Sequence, residues 1–315
     1  MRKFDFKDIN LIPKKCIVSS RSECDTSVIL GNRKFNMPII PANMECVIDS
    51  NISIDLATNG YFYIMHRFGD TEKFAKLMNS LNLMVSISIG IGKESYDLIE
   101  SLYNQKINID YITIDIAHGH SISMESMIKY IRSRYVNTFI IAGNISTAEA
   151  AIDLESWGAN ACKVGIGPGS ACTTYPATGF GSRNCQASII NECSKVAKIP
   201  IIADGGIKEP GDISKSLVMG ASMVMIGGLL SGYSDSPGNT IEYNGKKYKE
   251  FWGSASKFQS NKSSRIEGKK ILVDYKDSKL MDGYQYLKEC LQSSISYGGG
   301  KDLHCFNSVE FISHL

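Results

Sequence analysis

YITIDIAHGHSISMESMIKYIRSRYVNTFIIAGNISTAEAAIDLESWGANACKVGI, residues 111–166, contains three short apolar runs separated by two longer amphipathic segments. The runs are Tyr111–Ile116, Phe139–Ala142 and Ala161–Ile166, and the segments between them are Ser123–Arg134 and Ser146–Trp157. A strand apolar at nearly every position, not only at alternate ones, is buried on both faces, as in a parallel sheet covered by helices. The spacing, about 20 to 30 residues for each strand plus helix, is that of a β/α repeat.

The same alternation extends both ways. Pro38–Ala42, Tyr61–Met65 and Leu83–Ile89 precede this stretch, and Pro200–Ala203 and Ser222–Ile226 follow it. Helical patterns at Thr71–Leu81, Glu94–Tyr103, Asn184–Lys198 and Asp212–Met219 fill the intervals. Eight strand runs predict an α/β fold, a closed (β/α)8 TIM barrel with its active-site loops at the C-terminal face. Residues 1–315 read as one catalytic barrel domain, with no linker and no low-complexity segment. Two connections exceed what the repeat needs: Gly167–Arg183, rich in Gly, Ser and Thr, and Ser234–Gly268. Oversized loops on the functional face of a barrel are expected to roof a site.

Composition narrows the function. The 34 Lys and Arg against 32 Asp and Glu leave a formal charge of +2, which excludes a broad electrostatic footprint for nucleic acid or an anionic membrane. No apolar stretch reaches the roughly 20 residues of a membrane span. The charged opening MRKFDFKDIN lacks the apolar core of a signal peptide. Nine cysteines, an odd number with no C-x-x-C pair, read as reduced thiols of a cytoplasmic protein and not as a disulfide scaffold or zinc site. His118-Gly119-His120, after the fourth run, reads as a contact on a cofactor's side of a site.

The densest chemical signal is Lys163-Val164-Gly165-Ile166-Gly167-Pro168-Gly169-Ser170-Ala171-Cys172-Thr173-Thr174. A dinucleotide-binding loop would lead directly into a helix, whereas here Cys, Thr, Thr, Tyr175 and Pro176 follow. Gly167 and Gly169 allow a tight path that aims carbonyls at a cation or amides at an anion. Cys172, among small hydroxyl-bearing neighbours, is open to two readings, a nucleophile or a buried structural thiol. After the next two runs come Asp204-Gly205-Gly206 and Gly227-Gly228. Paired glycines on the last two adjacent loops of a barrel suit phosphate, and Asp204 suits ribose hydroxyls.

Together with Met37–Met44, Pro210-Gly211-Asp212 and Ser293–Tyr297, these motifs resemble the IMP dehydrogenase/GMP reductase family over nearly the whole chain. No insertion of the size of a regulatory CBS pair interrupts the barrel pattern, and no Arg-Tyr dipeptide falls within residues 254–268. In their place Ser263–Lys269 resembles the Glu-Gly-Lys segment of the compact bacterial reductase branch. The resemblance implies NADPH-dependent reductive deamination of GMP to IMP. The alternatives are a minimal IMP dehydrogenase and a non-catalytic purine nucleotide sensor, against which Cys172, Thr174 and Glu267 together argue.

By the same resemblance, Cys172 is the nucleophile that attacks the purine, and Thr174 with Glu267 delivers the proton to departing ammonia. Ser170, Asp204, Gly205, Gly206, Gly227, Gly228, Gly253, Ser254 and Gly268 match nucleotide contacts. Asp115, Ile116 and Ala117 match the NADPH side, as do Ser20 and Arg21, donated by a neighbouring subunit of a homotetramer. Gly167, Gly169 and Cys172 match carbonyl ligands of a monovalent cation, potassium. Glu45-Cys46 and His118 depart from the pattern, standing where Asp-Thr and Asn are usual.

Overall fold

Seven of the eight apolar runs pair side by side in one parallel sheet of the computed structural model, which describes residues 3–253 and 268–314. The strands are β1 (Ile39–Pro41), β2 (Ser86–Ile89), β3 (Tyr111–Asp115), β4 (Phe139–Ile145), β5 (Ala161–Val164), β6 (Ile201–Asp204) and β7 (Met223–Ile226). Their order across the sheet is β1-β7-β6-β5-β4-β3-β2, so the first strand closes against the last. Ile112, Ile114, Ile140, Ile141, Val164, Ile202 and Val224 are fully buried. At roughly 1.5–3 kcal/mol for each such side chain, this burial is the main force holding the sheet between its helices.

Tyr61–Met65 takes the remaining barrel position without a full ladder. It meets β2 through a single bridge, Met65 to Ile87, with the Met65 amide donating to the Ser86 carbonyl at 3.1 Å. Side chains do the rest: the Tyr63 hydroxyl donates to the Met84 carbonyl, and Ser88 Oγ to the Met65 carbonyl at 2.6 Å. The curled sheet and its flanking helices make a (β/α)8 barrel-like α/β fold.

The helices begin where short polar side chains satisfy their first amides. Asp70 caps Thr71–Ser80, Ser121 caps Ile122–Arg134 and Thr147 caps Ala148–Trp157, each accepting from an amide three residues on. Such caps are worth about 1 kcal/mol apiece. Two features differ from the sequence reading. The long connection after β7 contains strands β8 (Thr240–Tyr243) and β9 (Lys246–Trp252), which join β10 (Lys270–Asp274) in an antiparallel sheet. An 18-residue helix, Leu280–Tyr297, then packs beside Pro210–Val218. No helix among the described residues is long and apolar enough to cross a membrane.

Candidate active site

The loops at the carboxyl ends of the barrel strands surround one cavity of about 610 Å³. Ala42–Met44 follow β1, Asp115–Ala117 end β3, Gly165–Cys172 follow β5, Asp204–Lys208 end β6 and Gly227–Leu229 follow β7. Phe251, Gly253 and Val273 from the antiparallel sheet complete the wall, so the long connection covers the site as a sheet.

Cys172 is half-buried, with Sγ 3.2 Å from the Thr174 hydroxyl. Its amide donates to the Gly169 carbonyl at 3.1 Å, folding the loop into a turn that carries the thiol to the cavity wall. On the other side Cys172 pairs antiparallel with Gly268, beside a 2.9 Å bond from the Lys269 amide to the Ala171 carbonyl. Gly253 lies against the same loop, where a Cβ would fall 2.8 Å from the Ala171 carbonyl oxygen. Ser254 and Glu267 lie outside the described residues. All nine cysteines are free thiols, but burial pushes those of Cys46, Cys162 and Cys193 up to about 12. Those three are poor nucleophiles at neutral pH. Cys172 is the cysteine that lines the cavity.

Beneath the Cys172 loop lies a buried polar cluster that the sequence reading passed over. Lys163, only 2% exposed, extends Nζ to Asp115 Oδ1 at 2.8 Å, to Asp204 Oδ2 at 2.7 Å and to Asn144 Oδ1. Asn144 Nδ2 donates to Asp204 Oδ2 and to the Gly165 carbonyl, both at 2.7 Å. Burial disfavours the ammonium, yet Asp115 and Asp204 outweigh it and hold the Lys163 pKa above its ordinary value. Burial likewise opposes ionisation of Asp115, but Lys163 and, secondarily, Arg67 bring its carboxyl below the usual range. The available signal was a lysine in the middle of an otherwise apolar strand, since a buried ammonium requires partners.

Gly165 marks the tightest approach in this region. Its φ is +149°, and a Cβ there would stand 1.9 Å from the Asp204 carbonyl oxygen. Gly165→Ala is therefore expected to displace the Asp204 loop and to lower stability by at least about 1–3 kcal/mol, the usual cost of such backbone strain. Urea unfolding checks this, and an unchanged midpoint contradicts it.

Ser20 and Arg21 lie elsewhere. Ser20 caps a short turn, and Arg21 lines a second cavity of about 800 Å³ together with Lys215, Glu289, Ser293, Ser294 and Tyr297. Among the described residues, the two cavities share no lining residue. Asp115, Ile116 and Ala117 do reach the first cavity, as do Ser170, Asp204, Gly205, Gly206, Gly227 and Gly228. His120 instead turns to Asp153, with Nε2 and Oδ2 2.8 Å apart, and packs beside Trp157.

Comparison with known proteins agrees with this geometry. Residues 3–313 match the family model for the IMP dehydrogenase / GMP reductase domain. A Clostridium acetobutylicum protein named GMP reductase is 53% identical over 311 residues, covering 98% of this chain and 95% of that protein. Proteins of the same name from Lactobacillus gasseri and Staphylococcus aureus are each 51% identical over 314 residues, 99% of this chain and 95% and 96% of theirs. A family model spanning nearly every residue and relatives matched end to end place the chain plainly: it belongs to the IMP dehydrogenase / GMP reductase family.

Proposed function

We propose that this chain is a GMP reductase, converting GMP, NADPH and a proton to IMP, ammonia and NADP⁺ through a covalent bond from Cys172 to purine C2. The observation that carries the reading is Cys172 Sγ set 3.2 Å from the Thr174 hydroxyl, in the cavity that also holds Asp204 and both glycine pairs. Nucleotide binding alone needs neither the thiol nor its hydroxyl partner.

The amine on C2 of guanine leaves well only as ammonia from a tetrahedral carbon. Cys172 adds its sulfur to C2, and Thr174 with Glu267 carries the thiol proton to the amine, which departs. Pairing of Gly268 with Cys172 supports this assignment, because Glu267 is bonded to Gly268. Asp204 accepts from the ribose, and the amides of Gly205, Gly206, Gly227 and Gly228 face the phosphate, with Ser170, Gly253, Ser254 and Gly268 around the nucleotide. NADPH, when bound, supplies the hydride that takes the amine's place at C2. As the carbon–sulfur bond breaks, Cys172 recovers a proton and IMP is released.

The residues at the end of β3 suit the nicotinamide end of that cofactor. Asp115 offers an acceptor, Ile116 and Ala117 an apolar floor and Arg67 a positive charge. Gly167, Gly169 and Cys172 share one loop at the cavity wall, and their backbone carbonyls would supply the oxygen donors that a hard monovalent cation such as potassium takes. Nine free thiols accord with the reducing cytoplasm. Residues 1–315 act as one catalytic barrel without a regulatory insertion.

The separation of Arg21 from the Cys172 cavity supports its donation to a neighbour's cofactor site in a homotetramer. Arg21→Ala is expected to raise KM for NADPH about tenfold or more, the scale of a charge-assisted hydrogen bond, with less change in kcat. A fully active monomer on sizing contradicts the shared site.

The direction of reaction is tested by supplying each substrate pair in turn. GMP with NADPH should lose reduced-nicotinamide absorbance and release ammonia, while IMP with NAD⁺ should give little XMP. Rapid XMP formation identifies a dehydrogenase.

A further inference from the structure

We propose that Lys163 is a positioning residue that links the nucleotide side of the cavity to its cofactor side, so that a change at Asp115 is felt by GMP at Asp204. The inference rests on the functional reading above, which gives Asp204 to the ribose and Asp115 to the cofactor.

The linkage is built into the sheet register. Asp115 on β3 pairs with Gly143 on β4, and Gly143 pairs with Lys163 on β5. Lys163 reaches Asp115 across the intervening strand, and Gly143 leaves it room. A Cβ at Gly143 would lie 2.7 Å from Lys163 Cβ and 2.5 Å from its carbonyl oxygen. With Asp115, Asp204 and Asn144 in place, all three ammonium donors are used. Both Lys163 and Asn144 take Oδ2 of Asp204, so Oδ1 remains to accept from a ribose hydroxyl.

Among the described residues, the other charged or titratable side chains on this cavity are Arg67, Cys172 and Lys208. Arg67 acts on Asp115. Lys163 is the cation in contact with both carboxylates. Two carboxylates in a buried site cannot both stay ionised without a counter-charge. One ammonium shared between them divides its attraction, and neutralising one carboxylate gives the other a larger share. Asp115→Asn therefore draws Lys163 harder onto Asp204 and makes Asp204 a poorer acceptor. Removing the ammonium has a different consequence: the two carboxylates lose their shared counter-charge, and their repulsion moves Asp204 out of place.

The test is GMP binding by calorimetry to the full chain without cofactor. Asp115→Asn should weaken GMP about threefold or more, within the range of couplings between groups in one network. Lys163→Met should weaken it about tenfold, because the two carboxylates lose their shared counter-charge. Adding Asp115→Asn to Lys163→Met should restore part of that affinity, because the like-charge pair is gone. A loss in Lys163→Met that Asp115→Asn does not modify makes Lys163 merely structural and overturns the proposal. If Lys163→Met does not fold, the Asp115→Asn measurement decides alone, and unchanged GMP affinity overturns it. A wild-type chain that binds no GMP overturns the functional reading instead, and this inference with it.

Discussion

Cys172→Ala should consume no NADPH with GMP and give no burst of NADPH from IMP and NADP⁺, while still binding GMP. Both half-reactions pass through the same carbon–sulfur bond, so removing sulfur removes both. The expected loss is at least about 10⁴-fold, as for other enzymes stripped of their nucleophile. Nucleotide affinity should change little, because the contacts proposed for ribose and phosphate, Asp204 and the glycine loops, are left intact. Stopped-flow absorbance in each direction, with GMP calorimetry beside it, checks all three statements. Residual turnover near the wild-type rate in either direction removes Cys172 from the reaction.

Glu267→Gln separates the halves. Only deamination needs a proton on the departing nitrogen, and general acid catalysis is typically worth about 10² to 10⁴-fold, so steady-state reduction of GMP should slow by that factor. Hydride transfer needs no such proton. From IMP and NADP⁺ the variant should therefore still reach the covalent adduct and show an NADPH burst comparable to wild type. Loss of the burst as complete as in Cys172→Ala, with IMP binding intact, means that Glu267 organises the site and does not deliver a proton.

What the sequence made legible follows from burial. Strands covered on both faces must be apolar throughout, so Tyr111–Asp115 and Met223–Ile226 stood out within a residue or two of their ends. Helix starts were legible from the amphipathic pattern alone, and Ser123–Arg134 and Ser146–Trp157 begin within two residues of the observed Ile122–Arg134 and Ala148–Trp157. The strands β8 and β9 were missed although Asn244-Gly245 between them is the strongest short hairpin signal, with φ of +50° and +71°. Their inward positions explain the miss. Lys249 is buried beside Phe251, its Nζ donating to the Ser236 and Gly238 carbonyls at 2.7 and 3.0 Å, so a charged residue stands where an apolar one is sought. The helix Leu280–Tyr297 was hidden by Gly283, where Tyr233 packs so close that a Cβ would meet its ring at 2.2 Å.

The site was legible to the extent that its chemistry is local. Gly165–Thr174 carries thiol, hydroxyl and turn on one loop, and its motif is continuous in sequence. The Lys163 cluster is the opposite case. Its four members sit on four strands and meet only when the barrel closes, so no spacing along the chain announces them. Arg21 is likewise far from that motif, on a second cavity of its own.

The bond between Cys172 and purine C2 can be observed directly by its mass. The protein is mixed with GMP in the absence of NADPH, quenched in acid within the first turnovers, and its peptides are weighed by mass spectrometry. The peptide bearing Cys172 should gain the mass of GMP less ammonia, the gain should be absent in Cys172→Ala, and adding NADPH before the quench should remove it. GMP-dependent NADPH consumption with no adduct on Cys172, or an adduct on another cysteine, would contradict that bond.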